Sequence, residues 1–73
     1  MTGKSETTKE FEAVERKDEH LWIELREGEK EGLQYAVPDE GVASEIDVGY
    51  IGKLKVESLN EKNTAWRVVD VCS

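Results

Sequence analysis

Apolar and polar residues alternate along most of the chain, which is the pattern of β-strands that bury one face. The alternation is strictest in residues 20–26 and returns in residues 33–37, with a glycine-bounded loop at 28–32 between them and Pro38 ending the second run. The side chains predicted to face inward are Leu21, Ile23, Leu25, Leu33, Tyr35 and Val37. These two runs are therefore predicted to be strands of one sheet.

The first apolar segment, residues 9–16, fits two patterns. Phe11 and Ala13 would share one side of a strand, whereas Phe11 and Val14 also fit the apolar stripe of a helix. The period-two run that follows favours a strand, and residues 17–19 then become a turn. Strand is our interpretation of residues 9–16, with the helix as the alternative.

The last third of the chain predicts two further strands, at residues 50–59 and 64–72, joined by a turn at residues 60–63. Leu54 lies in the middle of the first of these strands, and both Leu54 and Val56 are predicted to face inward. Residues 39–49 form a connection that is longer than usual, with room for a short helical turn.

The register of this final hairpin stays open at the level of sequence. A four-residue loop places Leu54 opposite Val69 and exposes Trp66, whereas a five-residue loop places Leu54 opposite Val68 and Val56 opposite Trp66. Trp66 is therefore exposed in one register and buried in the other.

These elements predict a mostly β fold of five antiparallel strands in a meander, closed into a small barrel or bent strongly. The order resembles that of a small oligonucleotide/oligosaccharide-binding (OB) barrel or an SH3-like barrel, since both close a short sheet to remove its exposed edges. No motif specific to either family is present, so no function is taken from the fold. Residues 9–73 are predicted to form one domain, preceded by a disordered tail at residues 1–8.

The composition bounds the protein further. Of the 73 residues, 37% are hydrophobic and 37% are charged, so the core is small and any function is expected on a surface or groove. Cys72 is the single cysteine and cannot form an internal disulfide, which favours a reducing, cytoplasmic setting. We also expect no metal and no cofactor, because the chain has no cluster of cysteine and histidine residues. The longest apolar run has only three residues, which predicts no membrane span.

The charge is strongly acidic and unevenly distributed. The formal net charge is −7; residues 1–49 hold 6 basic and 14 acidic residues, and residues 50–73 hold 4 basic and 3 acidic residues. Such a surface repels phosphate and anionic lipid, which disfavours nonspecific binding of nucleic acid or membranes. The acidity is expected to aid solubility, and adaptation to high salt is the alternative.

Residues for enzyme chemistry are sparse. His20 is the single histidine and is expected to face solvent, and Cys72 lies next to the chain end. The carboxylates of residues 27–31 lack the spacing of a calcium loop, and Gly49 and Gly52 lack the spacing of a phosphate loop. We therefore expect no catalytic residue and no metal site.

The most suggestive group combines aromatic and basic side chains of the final hairpin. The candidate binding residues are Tyr50, Lys53, Lys55, Lys62, Trp66 and Arg67. Rings that stack on bases, interleaved with basic groups that contact phosphates, are typical of single-stranded nucleic-acid binding. The same residues also fit an ordinary amphipathic hairpin.

Three functions follow from these features. The first is a non-enzymatic interaction module that contacts a protein partner, or a second copy of itself, through the aromatic hairpin. The second is a barrel that binds single-stranded nucleic acid. The third is an acidic decoy that imitates nucleic acid, which the acidic front half of the chain suggests.

Overall fold

Five strands form one antiparallel sheet in the computed structural model, which describes residues 6–59 and 65–72. The strands are β1 (Glu6–Lys17), β2 (His20–Leu25), β3 (Gln34–Pro38), β4 (Ile51–Ser58) and β5 (Trp66–Val71). A 3-10 helix, Gly41–Glu45, lies between β3 and β4 and confirms the helical turn expected there. The prediction of a mostly β fold with five antiparallel strands is confirmed.

The strand order is β3-β2-β1-β4-β5, so the predicted meander is wrong. The first three strands pair in sequence order, through a two-residue turn and then a loop of eight residues, and β4 returns to lie beside β1, which is a Greek-key order. The first half of β1, from Glu6 to Glu12, pairs with β4, and its second half, from Phe11 to Lys17, pairs with β2. One long strand thus serves two partners.

The first strand begins earlier than the sequence pattern indicated. Thr7 pairs with Val56 and Thr8 with Lys55, so residues 6–8 belong to the sheet and not to the predicted tail. Both threonines are β-branched, and the pairing with β4 satisfies their backbone groups. The remaining tail residues, 1–5, lie outside the described residues. Residues 9–16 are strand, as interpreted.

The hairpin of β4 and β5 adopts neither of the two expected registers. Val56 pairs with Val68, and Leu54 pairs with Val71, because one extra residue forms a bulge in β5 between these pairs. The predicted turn at residues 60–63 lies outside the described residues. Leu54 and Val56 both face the core, as expected.

The core lies on one face of the sheet, which we call the inner face. Its buried apolar residues are Phe11, Ala13, Leu21, Ile23, Leu25, Val37, Ala43, Ile46, Leu54, Val56 and Val68. The period-two pattern therefore predicted the inner face correctly in β1, β2 and β4. Leu33 is an exception, because it precedes β3 and is 50% exposed.

The sheet bends until its two edge strands approach each other. Tyr35 of β3 and Trp66 of β5 are in contact although their strands lie at opposite edges of the sheet. No backbone ladder joins β3 to β5 in the described residues, so the sheet is not closed and the predicted barrel is not confirmed. The result is an open, strongly bent sheet with two distinct ends.

One end of the bent sheet is covered by the connection between β3 and β4. Ala43 and Ile46 of this connection are buried in the core. Arg16 holds it in place: its Nη2 donates hydrogen bonds to the carbonyl oxygens of Ala43 (3.0 Å) and Ile46 (2.8 Å), and its Nε lies 2.9 Å from a carboxylate oxygen of Asp39. The opposite end has no comparable covering element among the described residues.

Candidate functional site

An apolar groove lies at the uncovered end of the bent sheet, between the edge strands β3 and β5. It has a volume of about 170 Å³. We call it the aromatic groove; its lining residues are Thr7, Lys9, Phe11, Ile23, Leu25, Lys30, Tyr35, Val56 and Trp66. All five strands contribute to this lining, and so does the loop that follows β2.

Three aromatic rings shape the groove. Phe11 and Tyr35 meet edge to face, with ring centroids 6.3 Å apart and an interplanar angle of 82°. Tyr35 meets Trp66 in the same way, at 6.4 Å and 77°. This geometry is favourable for aromatic pairs and holds each ring in a defined orientation. Phe11 is buried, whereas Tyr35 and Trp66 are half-buried and line the groove.

The polar residues of the lining are Thr7, Lys9 and Lys30. Lys9 lies on β1 opposite Leu54, and because side chains alternate along a strand it shares the inner face with Thr7 and Phe11. Lys30 lies in the loop between β2 and β3. Both lysines are exposed, so their ammonium groups reach solvent at the mouth of the groove.

The structure separates the six residues that the sequence suggested as a binding surface. Trp66 lines the aromatic groove, and Lys62 lies outside the described residues. Lys53 and Lys55 alternate with the buried Leu54 and therefore lie on the outer face of the sheet. The five described members thus do not form one surface.

The other two members of that set have local partners. Arg67 donates a hydrogen bond to Oε1 of Glu57, which is buried beside it on the outer face. Tyr50 lies near the other end of the sheet, where its ring covers Gly52. Its hydroxyl group is buried and has no hydrogen-bond partner among the described residues.

Sequence reasoning identified only Trp66 among the nine residues that line the groove, and the aromatic and charged residues that it missed are Phe11, Tyr35, Lys9 and Lys30. Tyr35 was predicted to face inward and Phe11 to share one side of a strand with Ala13, but neither was predicted to bind a ligand. Lys9 is two positions before Phe11, so its place on the inner face could have been read from the alternation. The signal for Lys30 is absent, because a loop residue follows no such period.

His20 and Cys72 are the two residues that the sequence suggested for general-base or nucleophilic catalysis. Nδ1 of His20 lies 2.8 Å from the carbonyl oxygen of Asp18, to which it donates a hydrogen bond. Cys72 is an exposed free thiol. The described residues contain no cluster of three or more His, Cys, Asp or Glu side chains that could hold a metal ion.

Comparisons with known proteins add no relative: no family model, no curated protein and no solved structure matches the chain. Among the described residues, no helix has the length and apolar character required to cross a membrane. The arguments for function therefore rest on the geometry of the aromatic groove.

Proposed function

We propose that this chain is a non-enzymatic binding module that accepts an apolar side chain of a protein partner in its aromatic groove. The observation that carries the proposal is the groove itself, in which Tyr35 and Trp66 present apolar surface at the uncovered end of the sheet. Tyrosine and tryptophan are frequent anchors of protein interfaces because they contribute a large contact area at small entropic cost.

The size of the groove favours one anchoring side chain over a complete small molecule. Sites for drug-sized ligands and cofactors usually measure about 300–1,000 Å³, whereas an apolar cavity of about 150 Å³ is sufficient for benzene. The aromatic groove, at about 170 Å³, is in the second class. One aromatic ring or one branched aliphatic side chain would therefore fill it.

The same geometry supports an OB-like barrel that is partly open as the finer description of the fold. The OB fold is a five-stranded, partly open Greek-key barrel. Here β4 returns to β1 in Greek-key order, and β3 approaches β5 through Tyr35 and Trp66. The gap between these edge strands would then be the mouth of the barrel.

Binding of single-stranded nucleic acid has less support. Stacking platforms offer open ring faces to successive bases, whereas Tyr35 and Trp66 contact each other edge to face within a groove of one-ring size. The net charge of −7 also opposes the binding of a polyanion.

The free thiol of Cys72 supports a reducing, cytoplasmic setting, which is part of the proposal.

A peptide-display selection tests the proposed function. Random peptides would be selected on the wild-type chain and then measured against two variants, Thr7→Phe and Thr8→Phe. Thr7 lines the groove and Thr8 is its neighbour on the outer face, so only the first new ring enters the groove. We expect the selected peptides to share an apolar residue and to bind Thr7→Phe about tenfold or more weakly, because losing a well-packed anchor typically costs at least that factor.

The Thr8→Phe variant is the matched control and should bind like the wild type. Thermal melting of both variants would show that each is folded. Selected peptides that bind Thr7→Phe as tightly as the wild type would refute the proposal. Concentration-dependent self-association that Thr7→Phe abolishes would refute it too, since the groove would then hold a second copy of the chain.

A further inference from the structure

The charged side chains that line the aromatic groove are opposite in sign to the net charge of the chain. The charged residues in its lining are Lys9 and Lys30, and no carboxylate contributes to it. The chain nevertheless has a net charge of −7, with 17 acidic residues against 10 basic ones. Two cations at the mouth of this groove would attract a negative charge that is brought there by a ligand.

Both lysines are held at this place by ordered backbone. Lys9 belongs to β1, where it pairs with Leu54. Lys30 lies in a loop that is closed by hydrogen bonds from the amide of Gly32 to the carbonyl oxygen of Leu25 (2.7 Å) and from the amide of Leu33 to that of Lys30 (3.1 Å). Neither ammonium group forms an ion pair within the described part of the chain.

Building on the proposed function, we infer that the partner of the aromatic groove is an acidic peptide segment, in which a carboxylate flanks the apolar anchor. The anchor would occupy the space between Phe11, Tyr35 and Trp66, and the carboxylate would lie between the ammonium groups of Lys9 and Lys30. Electrostatic complementarity of this kind selects partners more than it adds affinity.

Two segments of the chain itself are poor candidates for the groove. Residues 1–5, Met-Thr-Gly-Lys-Ser, carry a cation and no acidic side chain, which the two lysines would repel. Residues 60–64, Asn-Glu-Lys-Asn-Thr, have no large apolar side chain to serve as an anchor. A single strand of nucleic acid would extend beyond the two lysines, and its further phosphates would be repelled by the acidic surface of the chain. A short acidic peptide carries few charges beyond the lysines and is repelled less.

Nuclear magnetic resonance with short peptides tests the inference, using the indole N–H signal of Trp66 as the reporter. The probes are acetyl-Asp-Phe-Asp-amide, its neutral analogue with Asn in place of Asp, its cationic analogue with Lys in place of Asp, and acetyl-Asp-Ala-Asp-amide, which lacks the anchor. We expect the first probe to bind about three- to tenfold more tightly than the neutral analogue, because each exposed ion pair contributes a modest factor. The cationic probe and the probe without an anchor should bind more weakly still.

Two double variants assign that preference to the mouth of the groove. Lys9→Gln with Lys30→Gln should reduce the difference between the Asp and Asn probes to within about twofold, with binding of the neutral probe unchanged. Lys53→Gln with Lys55→Gln removes the same net charge from the outer face and should keep the difference. Added sodium chloride should also shrink the difference in the wild type, because salt screens exposed charges.

The outcomes separate this inference from the proposed function. Equal binding of the Asp and Asn probes would refute the acidic partner while the apolar anchor stands. If no probe moves the Trp66 signal, the proposed function falls as well. Two further results would overturn the inference: a shift of that signal when residues 1–5 are deleted, or tighter binding of a short oligothymidylate that depends on Lys9 and Lys30.

Discussion

Arg16 fixes the covered end of the sheet, and its replacement gives the sharpest test of the fold. Its guanidinium group donates to the carbonyl oxygens of Ala43 and Ile46 and pairs with the carboxylate of Asp39. Arg16→Gln removes the cation and shortens the side chain, so both carbonyl groups lose their donor. The connection between β3 and β4 should then loosen, although β1 itself keeps its backbone pairing.

The expected loss of unfolding free energy follows from these contacts. A hydrogen bond to a charged group contributes about 1.5–3 kcal/mol when it is well buried. The Arg16 side chain is 34% exposed, so about 1 kcal/mol for each of its two carbonyl contacts is the appropriate scale. The pair with Asp39 adds about 0–1 kcal/mol. Arg16→Gln should therefore cost about 2–3 kcal/mol, a large part of the roughly 3–5 kcal/mol expected for so small a domain.

Urea denaturation followed by tryptophan fluorescence measures this loss, and hydrogen exchange locates it. The amides of Ile46 and Gly49 donate to the carbonyl oxygens of Ala43 and Ala13, so they should exchange faster in the variant. The matched control is Arg26→Gln, which breaks an exposed pair with Glu12 and should cost less than about 1 kcal/mol. Equal losses in the two variants would refute the reasoning, because Arg16 would then act as an ordinary surface charge.

Three other perturbations test the core, the acidity and the packing at the covered end. Leu54→Ala should leave the chain largely unfolded by circular dichroism, because replacing a fully buried leucine typically costs about 2–5 kcal/mol. Added sodium chloride should raise the melting temperature, since salt screens the repulsion of a net charge of −7; a lower melting temperature would contradict this. Gly52→Ala would place a methyl group 2.7 Å from Cζ of Tyr50 and should cost about 1–3 kcal/mol in urea denaturation, a loss that should shrink when Tyr50→Ala is added.

The alternation of apolar residues was sufficient to predict the strands and their inner face. A side chain on a strand points to the side opposite its neighbour, so Leu21, Ile23 and Leu25 had to share a face, and they do. Leu54 was predicted to be core in either register and is buried in the observed one as well. The direction of a side chain depends only on its position along the strand, so it can be predicted correctly even when the strand pairing is not.

Strand order and register depended on contacts that no local pattern contains. The return of β4 to β1 is a pairing of residues that lie far apart along the chain, such as Glu6 with Glu57. The bulge in β5 shifts Leu54 to Val71, which could not be counted from the length of a turn. The strand order and the register therefore depend on tertiary contacts.

The binding surface could be predicted only in part, for a related reason. The sequence drew attention to aromatic and basic residues that are close along the chain, but Lys53 and Trp66 lie on opposite faces of the sheet. The aromatic groove combines Phe11, Tyr35 and Trp66 from three strands, and they meet only because the edge strands bend together. Trp66 belongs both to the binding surface predicted from the sequence and to the aromatic groove.

The two ends of the sheet differ in a way that links stability to binding. At the covered end, Ala43 and Ile46 complete the core from a connection that Arg16 holds. At the uncovered end, the groove between Tyr35 and Trp66 has no such plug in the described residues. A small domain has little burial to spare, so apolar surface left open there lowers the stability of the free chain. A partner side chain that fills the groove would bury this apolar surface. Because the partner binds only the folded chain, it would also stabilise the fold, by an amount that rises with the logarithm of the partner concentration once that exceeds the dissociation constant.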